Sequence, residues 1–275
     1  MGPRGHDPNT RADASETDDN AVSPVTMERL ISHLPGRHGH TDRIMPPVML
    51  LWAAVPLSIA LFLAAHLIDP SADWLAEIAA VSLFWVACLI TVRSMTERYV
   101  YDRLGPANTV TTLRMAMAAL LIVPVVEPAA LNLNALTLFA VALTALALDG
   151  VDGWLARRFK MASEFGARFD MEVDALIAGL LALSVFQSGK VGALILVLGF
   201  MRYAFVVTCQ VWPWLGGDLP ESLRRKAVCV IQIGTLVLLL LPAVDGEVAI
   251  YLTATAVLSL IYSFAVDVTW LARRR

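Results

Sequence analysis

The stretch "DGVDGWLARRFKMASEFGARFDMEVD" contains four aspartates, Asp149, Asp152, Asp170 and Asp174. Asp149 and Asp152 are three residues apart, and Asp170 and Asp174 are four apart. In a helix each pair would therefore share a face. Between the pairs lies a short basic turn, so two helices packed back to back would aim all four carboxylates into one cleft. Crowded carboxylates repel, and some must protonate unless cations bind among them. An all-oxygen donor set, with no Cys or His nearby, suits hard divalent cations such as Mg2+, Mn2+ or Ca2+ and argues against zinc. Carboxylate-bridged metals are suited to in-line displacement at phosphorus.

The neighbours fit a phosphate substrate. Gly153 and Gly166 would let a nucleotide approach the backbone closely. Arg157 follows one turn after Gly153 and can pair with a phosphate.

These residues sit among elements made for lipid. Of 275 residues, 57% are hydrophobic and 16% charged, and the mean hydropathy is +0.66. A soluble domain carries about 25% charged residues, so this is an integral membrane composition. Charged groups inside such segments are functional by default. The net charge of −3 is small and says little about partners, and the lack of a long basic tract outside the membrane-flanking loops argues against nucleic-acid binding. Cys88, Cys209 and Cys229 are scattered through apolar runs and form neither a disulfide frame nor a metal pair.

Eight apolar runs are long enough to be read as membrane helices, at about 46–67, 75–93, 109–127, 134–158, 168–187, 190–212, 225–243 and 247–271. Residues 1–44, rich in Asp, Pro, Ser and Thr, are expected to be a disordered cytoplasmic tail, and no cleavable leader is apparent. Residues 45–104 read as a two-helix unit with a polar linker, and 105–275 as a six-helix catalytic unit. If the tail is cytoplasmic, one membrane side receives nearly all the Lys and Arg and the other receives Lys190 alone. The aspartates and both termini then face the cytoplasm.

The motif reads D-x2-D-G-x2-A-R-x8-G-x3-D-x3-D. It resembles the signature of the CDP-alcohol phosphotransferase family at all eight fixed positions. "PANTVTTLR" resembles that family's Asn-x2-Thr-x2-Arg entry to its first core helix, at Asn108, Thr111 and Arg114. "KAVCVIQ" keeps Lys226 and Gln232, but Val228 and Cys229 stand where the family has Lys and Thr.

The resemblance implies an all-α polytopic membrane fold with a six-helix core over roughly 105–271, and two added N-terminal helices. It implies transfer of a phosphoalcohol group from a CDP-linked donor to a hydroxyl acceptor, with release of CMP. CDP-diacylglycerol is the expected donor. By that resemblance Asp149, Asp152 and Asp170 hold a divalent metal pair, Mg2+ or Mn2+, with Asp174 completing the second site and acting as general base. Gly153, Arg157 and Gly166 would line the CDP pocket, and Asn108, Thr111 and Arg114 would close it.

Arg202, Arg225 and Lys226 are the candidates for holding an anionic acceptor. For Arg202 a structural pair with a carboxylate is the equal alternative, and Glu172 is expected to point away from the aspartates. The expected setting is a bacterial plasma membrane, with membrane lipid as partner and a homodimer as the family's assembly. Competing readings are a CDP-small-alcohol:diacylglycerol transferase and a carboxylate-based metal-ion transporter.

Overall fold

The computed structural model describes residues 45–70, 74–217 and 222–273. The expected tail at 1–44 lies outside them. Among the described residues, eight long helices stand where the eight apolar runs are read. They are α1 (Pro46–Ile68), α2 (Leu75–Arg98), α3 (Pro106–Leu120), α4 (Pro128–Arg158), α5 (Glu164–Gln187), α6 (Ile195–Val211), α7 (Leu223–Leu238) and α8 (Gly246–Ala272). Among the described residues there is no strand.

Local chemistry sets the boundaries. Proline opens α1, α3 and α4, where a missing N–H costs nothing. Ser163 and Asp245 cap α5 and α8 through their side chains, at 3.0 Å to the Gly166 N–H and 2.7 Å to the Gly246 N–H. The third run breaks after Leu120 and continues as a separate turn, Val123–Val126, with Pro124 at its start. The fourth begins at Pro128, earlier than its apolar pattern, and bends at Asn134 (φ −126°, ψ 25°). There the Asn134 amide donates to the Ile68 carbonyl at the end of α1, at 2.6 Å.

Among the described residues, five helical segments are both long and apolar enough to cross a membrane: α1, α2, Pro106–Val126, α4 and α8. The eight-span reading counted three more. Of these, α6 has 17 residues and α7 has 16, which rise about 26 and 24 Å against a hydrocarbon core of about 30 Å. The third, α5, is long enough but carries Glu164, Arg168, Asp170, Glu172 and Asp174.

At the centre is α3, which touches α1, α2, α4 and α5. Its span is 61% buried, against 22% for α1. Polar side chains at Asn108, Thr111, Thr112 and Arg114 are among its buried residues. A buried polar face on an inner helix must find partners: Thr111 and Arg114 find them on α4 and α5, Asn108 in the preceding linker, and Thr112 on its own helix.

The helices α5 and α6 cross closely. A Cβ on Gly199 would come within 2.5 Å of the Ala182 Cβ and 3.0 Å of the Ala178 carbonyl. Small residues let the two backbones meet, as expected where dispersion drives helix association in lipid.

Candidate active site

The turn between α4 and α5 begins with a full Schellman closure. The Met161 N–H donates to the Ala156 carbonyl at 3.0 Å and the Lys160 N–H to the Arg157 carbonyl at 3.3 Å. Lys160 takes the left-handed conformation (φ +53°) that glycine usually supplies there. Ser163 then caps α5. This reversal brings Asp149 and Asp152 on α4 opposite Asp170 and Asp174 on α5.

The four carboxylates meet on Arg114, which is fully buried. Its Nη1 donates to Asp152 Oδ2 at 2.7 Å and to Asp170. Its Nη2 lies 3.0 Å from Asp149 Oδ1 and 2.5 Å from Asp174 Oδ1. The Nε–H donates to the Ala145 carbonyl at 3.0 Å. One cation thus ties α3 to both halves of the motif while offsetting one of four negative charges. The family-based expectation has Arg114 closing the CDP pocket with Asn108 and Thr111; the structure buries it wholly among the aspartates, while Asn108 and Thr111 line the adjacent cleft, and spacing along the chain held no signal for this.

Asp152 differs from the other three aspartates. It is 4% exposed. Its Oδ2 also accepts from the Thr111 hydroxyl at 3.1 Å, and its Oδ1 accepts from the Gly153 N–H at 2.7 Å. Asp149, Asp170 and Asp174 are partly exposed, and each offers a carboxylate oxygen within 4.8 Å of the others. The donor set fits a hard divalent cation: all ligand atoms are carboxylate oxygens, and Arg114 engages a single oxygen of each aspartate.

Next to this cluster is a cleft of about 220 Å³. Asn108, Thr111, Gly153, Arg157 and Gly166 line it together with Asp152 and Asp170. A Cβ on Gly166 would fit tightly, 3.2 Å from Ser163 Oγ and 3.4 Å from Asn108 Oδ1, so the Ser163 cap would have to shift by a few tenths of an ångström. Arg157 is exposed and makes no ion pair among the described residues.

Two tyrosines of the linker hold the cleft's far wall, and sequence reasoning missed both. The Tyr99 hydroxyl donates to the Leu104 carbonyl at 2.8 Å and accepts from Asn108 Nδ2 at 3.1 Å. Its ring packs edge-on against Phe165, with centroids 5.3 Å apart. Burial pushes the Tyr99 phenol above its ordinary range, and the Asn108 hydrogen bond partly offsets this. The Tyr101 hydroxyl donates to the Ala162 carbonyl in the motif turn at 3.0 Å. An aromatic pair beside a glycine-proline helix start was the available signal.

The acceptor candidates separate. Arg202 pairs with Glu172 at 2.5 Å. Glu172 points away from the aspartates, as its position on α5 predicts. Arg225 lies 3.9 Å from Asp267, whose carboxylate also takes Arg224 at 2.5 Å. On α7, Cys229 lies within electrostatic reach of Asp174, Asp149 and Asp170. Lys226 is three residues earlier and shares that face.

Eight helices around a polycarboxylate centre and a polar cleft define an integral membrane protein built for charged-substrate chemistry. The family model described as CDP-alcohol phosphatidyltransferase matches residues 104–265, more than half of the chain. The chain belongs to that family, whose members are transferases acting on CDP-linked alcohols in lipid synthesis. Comparison with curated proteins and with solved structures returned no match. Helices α1 and α2 lie outside the family match.

Proposed function

We propose that the protein transfers a phosphatidyl group from CDP-diacylglycerol to a hydroxyl acceptor and releases CMP. One observation carries this reading: Asp152 and Asp170 belong both to the carboxylate cluster and to the cleft lined by Asn108, Thr111, Gly153, Arg157 and Gly166. A diphosphate in that cleft would meet the unpaired Arg157 guanidinium, and the glycines leave its backbone wall open. Arg114 and Thr111 fix the Asp152 carboxylate in orientation.

Asp174 accepts the proton of the acceptor hydroxyl. The acceptor oxygen bonds to the phosphatidyl phosphorus as the P–O bond to CMP breaks, and CMP leaves with that electron pair. Two divalent cations, Mg2+ or Mn2+, held by Asp149, Asp152, Asp170 and Asp174, would neutralise charge on the diphosphate and on departing CMP. We assign the acceptor to the α7 side, near Arg225 and Lys226, because α7 packs against both α4 and α5, the helices that carry the aspartates. Arg202, paired with Glu172, stays outside this site.

We further read residues 105–275 as the catalytic unit, 45–104 as its support, and the cleft as cytoplasmic, because Lys and Arg gather on that side. The test is CMP release from CDP-diacylglycerol by the purified protein across a panel of hydroxyl acceptors. Release must depend on Mg2+ or Mn2+ and vanish in Asp174→Asn. Normal release by that variant overturns the assignment, and cation uptake into vesicles without CDP-lipid would favour transport instead.

A further inference from the structure

A second cavity, of about 560 Å³, opens between α2, which the family match does not include, and α5. Its two long walls change character in the same direction. On α2, Leu83, Val86 and Ile90 give way to Arg93 and Arg98. On α5, Leu176 and Val173 give way to Arg168. The C-terminal end of α2 and the N-terminal end of α5 therefore form one basic mouth above an apolar groove. From Leu83 to Ile90 the wall rises about 10 Å, and from there to Arg98 about 12 Å more. A single leaflet's hydrocarbon is about 15 Å deep, half of a core of about 30 Å. The groove thus fits an acyl chain below and a headgroup above.

Charge selects the headgroup. At the mouth Glu172 is taken by Arg202 at 2.5 Å, and Arg168 by Glu164 at 2.6 Å. Arg93 stands 3.9 Å from Glu97. Arg98 has no ion pair among the described residues. An unpaired guanidinium at the rim of an apolar groove near the membrane surface matches a lipid phosphate.

We propose that this groove binds one anionic diacyl phospholipid per chain, with an acyl chain between α2 and α5 and its phosphate on Arg98. The site is separate from the aspartate cleft. Its walls include Phe169 and Val173, which each precede an aspartate on α5 and so lie about 100° around the helix from Asp170 and Asp174. The lipid fills the space between the added N-terminal helix and the family core and joins them.

The test uses the full chain and reads lipid retention rather than activity, so it stands apart from the transferase assignment. The protein is released from nanodiscs containing equal phosphatidylglycerol and phosphatidylcholine of identical chains, and bound lipid is counted by native mass spectrometry. Both lipids offer a phosphate to Arg98, but the basic mouth repels the choline cation, so one phosphatidylglycerol should be retained about fivefold over phosphatidylcholine, the factor for about 1 kcal/mol of net-charge attraction. Arg98→Gln should abolish that preference while leaving the fold intact. Ala87→Phe, which fills the groove wall, should lose both lipids. Equal retention of the two lipids by the unaltered protein, or preference unchanged in Arg98→Gln, overturns the proposal.

Discussion

Arg114 and Asp152 form a buried ion pair across α3 and α4, with Nη1 to Oδ2 at 2.7 Å and both side chains almost wholly out of solvent. The same guanidinium reaches Asp149, Asp170 and Asp174. It is at once the site's internal counter-charge and the bolt between three helices.

Removing that bolt should unfold the site. Arg114→Ala leaves a buried carboxylate without its partner, a loss of about 3–5 kcal/mol. Thermal unfolding in detergent should show a large drop. Arg114→Lys keeps the charge but cannot span four carboxylates, because an ammonium lacks the planar fork. Its stability should fall between the other two.

Chelation should silence the enzyme without unfolding it. EDTA should abolish CMP release, and Mg2+ or Mn2+ should restore it, since the cluster offers only oxygen ligands. Asp149→Asn, which leaves two carboxylates in that group, should raise the metal concentration needed for half-maximal activity. A titration of activity against free metal reads this directly.

The crossing of α5 and α6 should reject a single methyl group. Gly199→Ala sets its Cβ against Ala182, where nothing flexible can yield. Overpacking of this kind costs about 1–3 kcal/mol. Ala182→Gly in the same chain should recover much of the loss, and a double-mutant cycle of unfolding midpoints checks the coupling.

Tyr99 should give the fold an alkaline limit. Its phenol is held above the ordinary value of about 10 by burial. The folded chain therefore keeps a proton that the unfolded chain releases. This contribution is fully present below pH ~10 and is lost as pH rises past it toward the folded value. Tyr99→Phe should lower stability by about 1 kcal/mol at neutral pH, through the lost hydrogen bonds. It should also flatten the alkaline decline. Unfolding midpoints measured from pH 8 to 11 separate the two effects.

Much of this was legible along the chain because it depends on neighbours. Helix periodicity pairs Asp149 with Asp152 and Asp170 with Asp174, and the basic turn between them requires a reversal. Apolar runs located the eight helices, because burial in lipid demands internal hydrogen bonding over the whole segment. Even the outward direction of Glu172 followed from angle alone, and it meets Arg202 there.

What the sequence could not decide depends on distances between helices. Nothing in the spacing of Asn108, Thr111 and Arg114 tells that the first two border a cleft while the third sinks beneath it. That follows from α3 being the inner helix, which buries whichever of its faces meets α4 and α5. The bend at Asn134, where the amide meets the Ile68 carbonyl, also comes from a contact far apart in the chain. The sequence by itself determined which residues could do the chemistry. Only the tertiary structure decided that one arginine would gather all four aspartates, because four carboxylates from two helices can share a cation only after a third helix is packed between them.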